Sequence, residues 1–250
     1  MRRIRAIALI SAALLMASCG AEGETTVDLN GTAWTASTIN GEAVEHSEIT
    51  AIFSDGRMAG SAGCNRYSGP YETSGADITF PQAFISTLMA CEQETMEQER
   101  RFLQALETVT GYEAADGTLT LTADDSEIIV FDEVSQDLSG TSWSILSYLD
   151  GNGRVSTIPG TEASVEFDGN TITGTAGCNT MNGSFTADGT ALTITELSQT
   201  DMYCTEPEGL MDQEAAIGQG LTDAAEYQIE GRTLTVWDAD GMVLLELHRP

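Results

Sequence analysis

The 250-residue chain carries 39 acidic residues against ten basic ones, all arginine, for a formal charge of −29. A field of that sign repels nucleic acid and anionic lipid head groups, which excludes partners of both kinds that would be held by a basic patch. The length suits one large domain or two small ones.

The first twenty residues, "MRRIRAIALISAALLMASCG", place three arginines before an apolar run from Ile7 to Met16 and then small residues up to Cys19. That is the layout of a secretory signal, and the run is shorter than the ~20 apolar residues of a membrane-spanning helix. Met16, Ala17 and Ser18 before Cys19 resemble the lipobox of bacterial lipoproteins, so residues 1–18 are expected to be a signal peptide and Cys19 the acylated new first residue. The alternative is a plain signal peptide cut nearby that leaves a spare thiol. Gly20 in place of aspartate resembles the sorting pattern for the outer membrane, which gives an outer-membrane lipoprotein facing the periplasm. Loss of residues 1–18 removes three arginines and no acidic residue, which moves the charge to −32. Residues 19–28 then form a lipidated polar tether.

Beyond the tether the chain is written twice. "LNGTAWTAST" at 29–38 aligns with "LSGTSWSILS" at 138–147, pairing Trp34 with Trp143; "GSAGCN" at 60–65 aligns with "GTAGCN" at 174–179. "STLMAC" at 86–91 aligns with "QTDMYC" at 199–204, and "GYEAADGTLTL" at 111–121 with "EYQIEGRTLTV" at 226–236. Four blocks in one order at nearly constant offset are a tandem duplication. Domain 1 is expected over 29–134 and domain 2 over 138–250, with the boundary in "VSQD" at 134–137.

Each copy alternates with period 2: "ITAIFSD" at 49–55 and "ASVEFDG" at 163–169 read as strands ending in tight turns, and "TLTLTAD", "EIIVFDE" and "TLTVWDADGMVLLEL" as closing strand pairs. Asp238 and Asp240 in "DADG", and the calcium-loop-like "LDGNGR" at 149–154, are expected to be turns. The second lacks the glutamate a calcium loop requires, since Thr161 stands at that position. One helix interrupts each set of strands. Residues 94–109 place Met96, Leu103, Leu106 and Val109 near one face, with Glu97 and Arg101 paired four apart on the surface. Residues 210–225 form the second helix, which Gly218 and Gly220 are expected to shorten or loosen by roughly 1 kcal/mol each.

With Cys19 assigned to lipid, four cysteines remain. A duplicated nucleophile needs a duplicated base or cation, but His46 and His248 fall at unrelated points of the repeat and Arg66 is matched by Thr180. The spacing fits no zinc site, so no metal and no cofactor are expected. Cys64 and Cys91 stand 27 apart and Cys178 and Cys204 stand 26 apart, which selects one disulfide per domain over the interdomain pairings; buried reduced thiols are the alternative. In the chain-entropy picture each such loop contributes about 3.5 kcal/mol. Gly60 with Gly63 and Gly174 with Gly177 mark a bulge or the close approach of another segment, and leave room for sulfur. Asn65 and Asn179 are expected to cap a turn.

These residues resemble the META domain family, the HslJ-like proteins: Gly31-x-x-Trp34, "GSAGCNRYSGPY" at 60–71, "STLMAC" at 86–91, the following helix and the Leu119-x-Leu121 strand, all repeated from Gly140 onward. Domain 2 departs at "MNG" (181–183) and at Tyr203 in place of Ala90, which puts any contact made by Tyr67 in question there. The resemblance implies a mainly β, α+β fold in two tandem copies, each an antiparallel curled sheet or partial barrel with one packed helix, in agreement with the alternation and the single helix per repeat. It also implies an envelope location and an association with heat-induced expression and stress tolerance, with no catalytic residues to carry over. The expected function is that of a non-enzymatic, monomeric, lipid-anchored protein that meets an envelope protein partner. The runner-up is a binder of a small or hydrophobic ligand in the barrel mouth; a hydrolase is disfavoured because no catalytic constellation repeats.

Overall fold

A computed structural model describes residues 27–124 and 126–250, and all structural statements concern those residues. Cys19 and the signal segment lie outside them. Both repeats are antiparallel sheets that curl around a packed interior, each with one helix against it.

Domain 1 runs through β1 (Thr32–Ile39), β2 (Glu42–Ala43), β3 (Thr50–Ser54), β4 (Arg57–Ser61), β5 (Arg66–Pro70), β6 (Glu72–Ser74), β7 (Asp77–Thr79) and β8 (Ile85–Ser86), then α1 (Gln93–Leu106), β9 (Gly111–Ala115), β10 (Thr118–Ala123) and β11 (Ser126–Glu133). Its pairing order, β6-β7-β9-β10-β11-β1-β3-β4-β5-β8, makes a curled half-barrel. Domain 2 runs through β12 (Thr141–Leu149), β13 (Arg154–Ser156), β14 (Ser164–Asp168), β15 (Thr171–Thr175), β16 (Thr180–Asp188) and β17 (Ala191–Gln199), then α2 (Leu210–Thr222), β18 (Glu226–Glu230), β19 (Thr233–Trp237) and β20 (Val243–His248). Here β12 pairs with both β14 and β20, so the sheet closes into a ring.

The two copies differ where proline falls. Domain 2 uses one long pair, β16 with β17. Domain 1 breaks the corresponding strands after Pro70 and around Pro81, so that β6 pairs β7 and β5 pairs β8 as separate short ladders. Proline cannot donate to a ladder. The chain between the two ladders, Phe80 to Phe84, joins no ladder; its two phenylalanines are half-buried, and Phe84 meets Tyr67 edge-on with ring centroids 5.4 Å apart. Met181 occupies the Tyr67 position in domain 2 and is buried without such a partner, which answers the question raised by "MNG".

Alternation puts Phe53, Met58, Leu119 and Phe131 inside domain 1 and Trp143, Phe167, Ile172 and Leu234 inside domain 2, all fully buried. The Gly-Thr-x-Trp starts are a local relay. Thr32 Oγ1 donates to the Leu29 carbonyl (2.6 Å) and accepts from the Trp34 indole N–H (2.7 Å); Thr141, Leu138 and Trp143 repeat both bonds at the same distances.

The helices depart from their sequence reading. The inward face of α1 is Gln98, Phe102, Ala105 and Leu106, while Met96 is exposed and Leu103 half-buried. Val109 is buried but lies beyond the end of the helix. Glu97 pairs with Arg100 rather than Arg101, because Arg101 reaches across to Glu42 on β2. α2 spans 13 residues against 14 for α1, so its glycines do not shorten it appreciably. Burial of Leu210, Ile217 and Leu221 outweighs their propensity cost.

The two sheets also touch. Glu230 on β18 accepts from Thr50 Oγ1 (2.6 Å) and pairs with Arg66 (2.9 Å), both in domain 1. In the linker, the Gln136 side chain donates to the Ile229 carbonyl and accepts from its N–H (both 2.8 Å), as a neighbouring strand would. The cleft beside this contact, about 600 Å³, collects Arg57, Arg66 and Arg154 together with Asp55, Glu230 and Glu246, so its charges balance.

Candidate functional site

The twice-written GCN elements sit where the sheet approaches its helix. A Cβ on Gly60 would be driven into the backbone carbonyl of Thr50, and one on Gly174 into that of Ser164. Neighbouring strands come too close there for any side chain, as the sequence reading anticipated. Gly63 and Gly177 hold φ of +116° and +128°, which turns the next two backbone N–H groups the same way.

Those N–H groups converge on a helix carboxylate. Glu99 accepts from the backbone N–H of Cys64 (3.1 Å) and Asn65 (2.6 Å) and from the Asn65 side-chain amide (2.8 Å). Glu214 repeats the set with Cys178 (2.9 Å), Asn179 and the Asn179 amide (2.7 Å). The preceding helix residue grips a second loop. Gln98 accepts from the N–H of Glu45 and His46 and donates to the Ser47 carbonyl. Gln213 accepts from the Ile158 N–H and donates to Thr161 and to the Ala176 carbonyl. Gln98, Gln213 and Glu214 are almost fully buried, which only such complete pairing permits. The sequence reading missed this clamp, although "MEQE" at 96–99 and "MDQE" at 211–214 repeat within the two helices.

Asn65 and Asn179 do more than cap a turn. The Asn65 side-chain carbonyl accepts from the Met89 N–H (2.6 Å) and from Thr87 Oγ1 (2.9 Å), while its amide also reaches the Met89 carbonyl (3.4 Å). Asn179 makes the same bonds to Met202 (2.8 and 3.0 Å) and Thr200 (2.7 Å). A buried side chain thus plays the part of a β-strand for one residue of a loop that has no strand of its own.

Two residues further on, the loop is tied again. Cys64 bonds Cys91 with Cα atoms 5.9 Å apart, and Cys178 bonds Cys204 at 6.1 Å. The cysteines, Gly63 and Gly177, and Asn65 and Asn179 therefore belong to one site per domain; Trp34 and Trp143 sit at the start of each sheet, in the core.

What the clamp holds outward is apolar. Leu88 is 96% exposed and Met89 58%, with Ile85 at 70% just before them; in domain 2 Met202 is 52% and Tyr203 81% exposed. The backbones of Met89 and Met202 are held by asparagines that are themselves buried. By contrast, the interiors that a barrel-mouth ligand would need are occupied by the core residues named above. A groove of about 570 Å³ in domain 1 is lined by the 79–84 segment and by Leu103, Leu106 and Glu107 at the end of α1. Asp150 and Asp238 each accept backbone N–H bonds from residues two to four further on, which makes their loops turns. Among the described residues no group of three or more histidine, cysteine or acidic side chains is placed to hold a metal ion.

Burial sets the one large acid–base perturbation near this site. Tyr67, on β5 and paired with Ser86 of β8, donates its hydroxyl to the Thr50 carbonyl (2.8 Å), and burial pushes its pKa well above the usual phenol value, reinforced by Glu230 and opposed by Arg66.

The duplicated sheet–helix unit with its GCN clamp is matched by one family model twice, over residues 27–135 and 136–249, described as the META domain. The chain belongs to the META domain family. Its tandem META units also resemble solved structures. One is an NMR structure of a protein from Burkholderia xenovorans, 23% identical, covering 52% of this chain and 97% of that one, with TM-score 0.39. Another is a crystal structure of a duf4847 family protein from Bacteroides vulgatus ATCC 8482, 15% identical, covering 45% of this chain and 94% of that one, with TM-score 0.33. No curated protein matches the chain.

Proposed function

We propose that this tandem META protein is a non-enzymatic, lipid-anchored component of the bacterial cell envelope, facing the periplasm from the outer membrane, that docks a protein partner through its two clamped loops. The observation that carries this reading is the pairing of filled cores with exposed apolar side chains on the loop that a buried asparagine holds at Met89 and at Met202 in the two repeats. Side chains of this size in water are unfavourable unless they are covered, by roughly 1.5–3 kcal/mol each. Methionine and tyrosine are also residues that adapt to, or anchor, protein surfaces.

The anchor rests on the Cys19 motif. A Cys19→Ser protein is expected to leave the membrane fraction, and its retention there would contradict lipid anchoring. Docking is tested by a photo-crosslinking amino acid placed in intact cells at 88 or 203, and at the exposed Thr186 of β16 as a control. Discrete adducts at 88 or 203 and none at 186 are expected; an identical pattern at all three positions would contradict the loop as the docking element.

A further inference from the structure

The loops carry a second feature besides exposure. Residues 85–94 contain Glu92 and Glu94 and no basic residue, and residues 199–208 contain Asp201, Glu206 and Glu208 and no basic residue. All five carboxylates are exposed, and none has an ion-pair partner among the described residues. The nearest arginine by hydrogen bonding is Arg66, whose carbonyl accepts from the Thr87 N–H, and its guanidinium is committed to Glu230. Each clamped loop therefore carries exposed apolar side chains and, within a few residues of them, carboxylates without an ion-pair partner: Leu88 and Met89 with Glu92 and Glu94, and Met202 and Tyr203 with Asp201, Glu206 and Glu208.

Resting on the docking role of these loops, we infer that the partner segment is a cationic amphipathic peptide stretch, apolar on one side and rich in lysine or arginine on the other. On domain 1 its apolar side covers Leu88 and Met89, and on domain 2 a second copy of such a stretch covers Met202 and Tyr203. Its charged side meets carboxylates that have no internal partner, which also speeds encounter with an acidic protein and rejects acidic competitors. An acidic or uncharged apolar segment would gain the first contact without the second.

The test uses the full chain and three synthetic peptides of equal length: leucine with lysine, leucine with glutamate, and serine with lysine. Fluorescence anisotropy is expected to show binding of the leucine–lysine peptide, weakened by salt and at least about tenfold tighter than the leucine–glutamate peptide. The double variant Leu88→Ser, Tyr203→Ser, made at exposed positions, is expected to weaken leucine–lysine binding by about tenfold or more. If leucine–glutamate binds as tightly and the double variant still weakens it, the cationic class is overturned while loop docking stands. If serine–lysine binds as well, or the double variant binds leucine–lysine unchanged, diffuse surface charge explains the binding, and both the inference and the loop reading fall. No binding of leucine–lysine overturns the inference.

Discussion

At the scale of single residues, the clamp turns on an asparagine and a glutamate that satisfy each other. Removing Asn179 strips the Glu214 carboxylate of one donor and leaves the Met202 N–H unpaired. Asn179→Ala is expected to cost at least about 2 kcal/mol in urea unfolding, because a buried charged acceptor loses its partner. Asn65→Ala should cost less, since Glu99 is only half-buried where Glu214 is almost fully so. Tyr67 sets an alkaline limit. Its pKa is raised in the folded protein, so the folded state holds this proton more tightly than the unfolded state does; the contribution of Tyr67 to stability is fully present below about pH 10 and is lost as pH rises above it. Tyr67→Phe is expected to lose about 1 kcal/mol at neutral pH and to flatten that alkaline fall, as read from urea midpoints at several pH values.

At the scale of elements, the paired glycines divide into two kinds. A Cβ on Gly218 of α2 would meet nothing within 4 Å, so Gly218→Ala is expected to stabilise by up to about 1 kcal/mol. Gly174→Ala would drive a methyl group into the Ser164 carbonyl and should lower the melting temperature sharply. Breaking the staple with Cys178→Ser, Cys204→Ser should cost about 3.5 kcal/mol. Much at this level was legible in the sequence, because duplication supplies a second reading of every feature: the cysteine pairs, the close-approach glycines and the strand alternation are all written twice. The Gln98–Glu99 and Gln213–Glu214 clamps were also written twice, but inside helices whose polar residues read as surface. A sequence window cannot tell that Gln98, on the face of Phe102, points into loops some fifty positions earlier. The same limit misassigned Arg101, whose partner Glu42 lies on a two-residue strand with no periodicity to announce it.

At the scale of the whole molecule, the repeats are joined by more than a tether. Gln136 completes the edge of β18 and Glu230 reaches two residues of domain 1, contacts that have no counterpart within either repeat and so left no trace in the alignment of the copies. Paired substitution Gln136→Ala, Glu230→Ala is expected to move the unfolding transitions of the two domains apart in calorimetry; an unchanged thermogram would mean that the domains unfold independently. What both domains share is a buried asparagine holding an exposed apolar loop, and amide hydrogen exchange reads this in both copies at once. The Met89 and Met202 N–H groups are predicted to exchange slowly, close to the rates of core strands such as β10 and β19, although their own side chains face solvent. Exchange of either amide at open-chain rates would show that the loop is not held, and would contradict the clamp on which the docking surface depends.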